Sequence, residues 1–268
     1  MMNESANTNI EVTQKAALGG TTTQIGQQNI YNGMSPEQAC QMALDLFNQN
    51  FPKLQAIAKE TAEKRANEFC QEAIQKIVKS GVQDFSSLAD PDVQYILYEA
   101  QKNYARFGTS EMLNTLTGLV TKRIEHDNEF VLKVAIDKAL EIAPLLSQEQ
   151  LNYLSLLFMC TRTSTSSIKT IESLELYLKG LVAIAGTVDY SSSDYLNMLG
   201  CLQIGIYSAV DSIARQYHFN EREVEKICPQ QIKQLSGSYI TSHIGTILAI
   251  TNLEAHHGPK LDPKMWIR

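Results

Sequence analysis

The strongest constraint on this chain is a near-continuous succession of helix-length apolar periodicities that starts at Ser35 and runs almost to the last residue. The first opens on Ser35-Pro36-Glu37-Gln38. This run supplies a capping hydroxyl, a proline suited to the first helical position and an amide that can close a capping box. Met42, Leu46 and Phe47 then share one face. Pro52 predicts the start of a second helix, with Leu54, Ile57, Ala58, Ala62, Ala66, Phe69, Ala73, Ile74, Ile77 and Val78 at three- and four-residue spacing and Gly81 as its stop. Asp90-Pro91 opens a third helix, which Gly108 ends, and Thr109 caps a fourth. A further helix spans about 128–143 and stops before Pro144, and Ser147 caps the next. The pattern predicts later helices over 168–186, 193–216, 220–228 and 239–256, then a short tail whose Trp266 and Ile267 dock on the body. Residues 180–188 have strand propensity but no partner strand, so the fold class is all-α.

The Ser/Thr-rich stretch 161–167 marks the expected break between two helical subregions. The organisation that follows is a flexible, low-complexity tail over 1–34, a helical subdomain over 35–162 and another over 163–268, or a single multi-helix bundle over both. A chain of 268 residues, 44% apolar and 19% charged, can bury a sizeable core. A net charge of −6 without a Lys/Arg cluster argues against nucleic acid as a partner. The five cysteines are odd in number and widely spaced, the usage of reduced, mostly buried thiols in a cytoplasmic protein. No leader pattern is visible at Met1–Ile10. The least polar stretch, 195–210, is interrupted by Asn197, Gln203 and Ser208 and is too short to span a bilayer, so it predicts a buried helix.

The tail has its own signature. Residues 19–33 carry no charge and no proline, and combine β-branched Thr21–Thr23, Ile25 and Ile30 with Tyr31 and five amides. Such composition suits in-register strand stacking with amide ladders, or a low-complexity tail that at most folds into a local hairpin. At Gln24-Ile25-Gly26 and Asn29 the segment resembles the RIP homotypic interaction motif and bacterial amyloid-signalling motifs. Thr23 stands where those motifs usually hold Ile or Val. The resemblance implies self-assembly, or recruitment of a protein carrying a similar motif, through Thr23, Gln24, Ile25, Gly26, Asn29, Ile30 and Tyr31, with a role in anti-phage defence or cell death. The helical body resembles a group of uncharacterised bacterial proteins at 146–151, 154–158, 250–254, Gly258 and 262–267. That likeness implies a fold and a setting, but no reaction.

No chemistry-bearing pattern competes with this lead. His126-Asp127 lacks the upstream histidine of a metal phosphohydrolase and reads as a solvent-facing pair at a helix junction. Glu254 and His257 form one Glu-x-x-His, whereas a di-iron bundle needs two. His243 reads as a core or interface histidine. Walker, Rossmann and nucleophile-elbow patterns are missing. The expectation is a non-enzymatic interaction protein with no metal and no cofactor, and with no membrane contact at rest. The alternatives are a helical effector with an enzymatic or nucleotide site assembled by the fold, and a membrane-perturbing effector that exposes 195–210.

Overall fold

The structure, a computed structural model, describes residues 11–15, 21–25, 36–82, 85–235, 237–257 and 260–267. The fold is all-α, with two short antiparallel strand pairs beside the helices among the described residues. Two compact units divide the chain at Lys59/Glu60. The first holds β1 (Glu11–Lys15), β2 (Thr21–Ile25) and the opening turns of α1 (Pro36–Lys79). β1 and β2 pair antiparallel, with Glu11 opposite Ile25 and Lys15 opposite Thr21.

α1 corrects one expectation, because Pro52 lies inside it and starts no new helix. Proline removes one donor and crowds the carbonyl four residues back. At 100° per residue Pro52 falls on the polar side, near Asn48 and Gln55, where water can meet the freed carbonyl.

The second unit begins with the rest of α1, where Phe69, Ala73 and Ile77 are buried. α2 (Pro91–Phe107), α3 (Ser110–Glu125), α4 (Phe130–Ile142) and α5 (Gln148–Arg162) follow the expected periods. Their caps are those read from sequence. Asp90 accepts from the Asp92 N–H, Thr109 from Met112, and Ser147 forms a reciprocal box with Gln150. α6 (Ile171–Ala185) absorbs the segment that had strand propensity. The boundary expected near 162 falls within this second unit, where α5 packs on α6 and on α8 (Ala209–Tyr217).

The helix expected over 193–216 is instead three elements: α7 (Ser193–Met198), β3 (Leu202–Ile204) and α8. Gly200 takes a left-handed φ of +75° and ends α7. β3 then pairs antiparallel with β4 (Tyr239–Thr241), which replaces the first turn of the helix expected from 239. Between them lie α9 (Glu221–Ile227) and α10 (Gln230–Lys233), and α11 (His243–His257) follows. A Cβ on Gly245 would stand 2.0 Å from the Cys201 carbonyl oxygen, so only glycine lets α11 approach β3 this closely.

α11 is the centre of the unit. It packs on α3, α4 and α5, and every residue from Gly245 to Leu253 is buried. Its polar side chains are matched inside. Asn252 donates to Ser155 Oγ at 2.9 Å and to Asn152 Oδ1 at 3.0 Å, and Thr246 pairs with Thr241 at 2.8 Å. The tail docks as expected. Trp266 donates its ring N–H to the Arg162 carbonyl at 2.7 Å, stacks edge-on against Phe158, and leaves Ile267 buried.

Arg123, 1% exposed, fixes the packing of α2, α3 and α4. Its guanidinium donates to Asp137 at 2.8 Å, to Asp92 at 2.7 Å and to Asp127. Lys133 adds a second cation on Asp92 at 2.6 Å. Burial pushes the Asp137 carboxyl upward against the pull of Arg123, while the hydrogen bond from Lys133 holds Asp92 low. Removing one partner of a buried ion cluster leaves the others unmatched at a cost of about 3–5 kcal/mol. Arg123→Ala is therefore expected to destabilise the second unit by about that amount in urea unfolding followed through Trp266 fluorescence. Asp137→Asn keeps an acceptor and is expected to cost roughly 1–2 kcal/mol.

Candidate functional site

Thr23, Gln24 and Ile25 of the sequence motif lie on β2, opposite Thr13, Val12 and Glu11 of β1. The other motif positions, Gly26, Asn29, Ile30 and Tyr31, fall outside the described residues. One edge of β2 is thus paired within the chain.

A run of exposed apolar residues lies just beyond, on the first half of α1. Met42, Leu44, Leu46, Phe47, Phe51, Leu54 and Ile57 are each 41–61% exposed. At 100° per residue Leu44, Leu46, Phe47, Phe51, Leu54 and Ile57 share one side of the helix together with Asn50, Met42 lies next to Gln49, and Gln41, Asp45, Asn48, Gln49 and Gln55 share the other side. The Phe47 and Phe51 rings touch at 4.9 Å between centroids. On the polar side Gln41 donates to Asp45 at 2.9 Å. Six large apolar side chains in adjoining turns make a patch of the kind that marks an interaction surface. Sequence reading placed Met42, Leu46 and Phe47 on one face but split the pattern at Pro52. The 4-3-4-3-4 spacing of Cys40, Leu44, Phe47, Phe51, Leu54 and Ala58 was the signal that could have joined it.

Chemistry-bearing groups elsewhere are engaged in the fold. His126 is buried at the C-terminus of α3, with Nδ1 3.3 Å from Glu129, and Asp127 serves Arg123. The pair is therefore not the solvent-facing one expected, because the junction between α3 and α4 folds over it. His243 is exposed at the start of α11, not packed in the core, since the strand ending at Thr241 brings the chain to the surface there. Glu254 bridges to Lys122 at 2.7 Å and accepts from the Leu261 N–H at 2.6 Å. Among the described residues, no three of His, Cys, Asp and Glu gather closely enough to hold a metal ion.

A cleft of about 330 Å³ opens between the end of α1, α3 and α11, with Lys76, Lys79, Lys122, Glu125, Glu254 and Lys260 on its walls. Its cations are partly matched. Lys76 donates to the Asn114 carbonyl and side chain at 3.2 Å and to Thr117 at 2.9 Å, and burial lowers its pKa. Lys260 meets Glu125 at 2.6 Å. The walls carry four lysines against two glutamates, so the cleft keeps an excess of positive charge after Lys122 pairs with Glu254 and Lys260 with Glu125.

The stretch 195–210 is not a buried helix. It holds the end of α7, β3, a short loop and the start of α8, and Ile204 of β3 and Ile206 of the loop are more than 80% exposed. Among the described residues no helix is long and apolar enough to cross a membrane.

A family model carrying the bare description “:-like”, which names no activity, matches residues 33–243. That span takes in most of the helical body and the likeness read at 146–151 and 154–158, and it ends before the residues 250–267 on which that likeness also rested. No curated protein and no solved structure matches the chain.

The cysteines separate into two classes. Cys160, Cys201 and Cys228 are buried, and Cys40 and Cys70 are exposed on α1. Burial pushes all three inner thiols up, Cys228 to about 11 and Cys201 to about 12. The thiolate is the reactive form. At neutral pH and high dilution two of the five thiols are therefore expected to react with a maleimide in the native protein, and all five in denaturant. Peptide mass spectrometry should place the native labels at Cys40 and Cys70.

Proposed function

We propose, for a chain that belongs to the family whose model spans residues 33–243, an interaction function in which the N-terminal region, residues 1–59, drives assembly with copies of itself or with a partner bearing a similar segment. The observation that carries this reading is the exposed apolar side of α1. Leaving that much apolar surface in water costs free energy at about 25 cal/mol per Å², and association recovers it. The charge-free run 19–33 and its likeness to homotypic assembly motifs support the same reading, and suggest a setting in anti-phage defence or regulated cell death. The engagement of Arg123, Lys122, Glu254 and Asp127 in structural pairs supports a non-enzymatic body.

The test compares the full chain with Phe47→Glu/Leu54→Glu and with Gln24→Ala/Ile25→Asp/Gly26→Asp. Sedimentation velocity and negative-stain imaging are run over a wide concentration range, with circular dichroism checking that the body stays folded. The wild type is expected to associate, and the α1 double variant to weaken that association at least tenfold. Loss of ordered higher assemblies in the triple variant would assign them to the tail motif. A wild type that is monomeric at every concentration sinks the reading.

A further inference from the structure

We infer that the cleft between the end of α1, α3 and α11 binds a small phosphate ester of a polyol, with Lys79 as the contact for its phosphate. The inference concerns the second unit alone and does not rest on the assembly reading above.

The first ground is a surplus of charge confined to one concavity. The whole chain carries −6, yet the cleft walls hold Lys76, Lys79, Lys122 and Lys260 against Glu125 and Glu254. Glu254 takes Lys122 at 2.7 Å, and Glu125 takes Lys260 at 2.6 Å. Lys76 and Lys79 are left. Glu72 stands 3.9 Å from Lys76, too far for a hydrogen bond, and Lys79 has no ion pair among the described residues. Burial lowers the Lys76 pKa, and the neighbouring charge of Lys79 adds to that against the pull of Glu72. The two ammonium groups therefore repel each other across one wall. The ends of α1, α3 and α11 border the cleft too, and each carries about half a negative charge. Together they fall short of the two positive charges left over.

The second ground is the chemistry of the walls. The cations there are all lysines. An ammonium is a point charge that meets a tetrahedral oxyanion from any direction, whereas a planar carboxylate is matched best by the arginine fork. A phosphate monoester carries a charge of about −1.5 to −2 at pH 7, which matches the surplus. The two lysines have different parts. Lys76 already spends its protons on Asn114 and Thr117, so it acts through its charge. Lys79 is exposed, and its ammonium is free to swing onto the phosphate. Ser80, Thr121 and Thr251 add three hydroxyls, each of which donates its proton to a backbone carbonyl about one turn back. Their oxygens are left as acceptors, the complement of the hydroxyl groups of a polyol.

The size agrees. The cleft, about 330 Å³, has more room than a phosphate alone fills and stands at the lower end of small-ligand pockets. A second cavity of about 470 Å³ shares Ser80, Glu125 and Lys260 with it, which gives the body of the ligand space toward Gly81 and Leu261.

Isothermal titration calorimetry of the full chain at fixed ionic strength tests this with ribose 5-phosphate and glycerol 3-phosphate, and with inorganic phosphate and ribose as the separate halves. At least one ester is expected to bind one site per chain with a Kd of about 1 mM or tighter, roughly threefold or more below that of either half. Lys79→Gln should weaken it by roughly fivefold or more, and Lys169→Gln, which removes an exposed charge outside the cleft, by less than about twofold. Equal losses in the two variants would reduce the effect to overall charge, and an unaffected Lys79→Gln would place the site elsewhere. Either result overturns the inference. Inorganic phosphate bound as tightly as the esters would leave a free-phosphate site, and ribose bound as tightly would leave a neutral one, each overturning the ester assignment. No binding of either ester up to about 20 mM removes the site altogether.

Discussion

A guanidinium withdrawn from water has to be matched on every side, and Arg123 meets that requirement only when three carboxylates arrive together. Asp127 comes from the turn after α3, Asp92 from the first turn of α2 and Asp137 from α4. The desolvation cost is the same whichever partner is missing, so the cluster favours all of its contacts or none. That makes it a device for specificity. It fixes the register of three helices whose apolar stripes alone would tolerate sliding, since leucine and alanine faces accept several near-equivalent packings. Two cations face three anions here, and burial raises the Asp137 carboxyl against the pull of Arg123.

α1 shows how one helix can serve two different surroundings. Up to Ile57 its exposed apolar positions centre on one stripe. From Ala62 the run Ala62, Ala66, Phe69, Ala73 and Ile77 lies about one residue further round, roughly 100° away. The second stripe is largely buried, and hydrogen bonds from Lys76 to Asn114 and from Tyr104 to Glu68 hold it to α3 and α2. The first stripe is not buried. A helix with a single purpose keeps a single stripe, so the change of phase at 58–62 separates two different uses of the helix.

Much of the body was legible because its punctuation is local. Asp90, Thr109 and Ser147 cap through their own side chains, and Gly108 ends α2 through its own backbone, so four residues suffice to read each boundary. Where the deciding contact is distant, reading failed. The interval 193–216 has helical composition, but Cys201 must pass under Gly245 and β3 must find β4, a partner more than thirty residues away. Pro52 misled for the opposite reason. The rule that proline opens helices is local, and α1 runs on through Pro52, whose ring falls on the polar side of the helix. The environments of His126 and His243 depend on which loop folds over them, which no spacing encodes. The exposed side of α1 was half visible, since periodicity identifies an apolar face and does not say whether the chain covers it.

The position of α11 in the chain has a consequence for how the protein is made. α3, α4 and α5 are synthesised by residue 162, yet the helix that fills the space among them is complete only at residue 257. During the synthesis of nearly a hundred further residues, the apolar walls that will hold Ile247, Leu248 and Ile250 have no filling. At translation rates of about 5–20 residues per second that interval lasts roughly 5–20 seconds, far longer than the microseconds in which a helix forms. The early helices must therefore wait on the ribosome as a partly collapsed, sticky intermediate. Newly made chains therefore expose apolar surface that mature ones have buried.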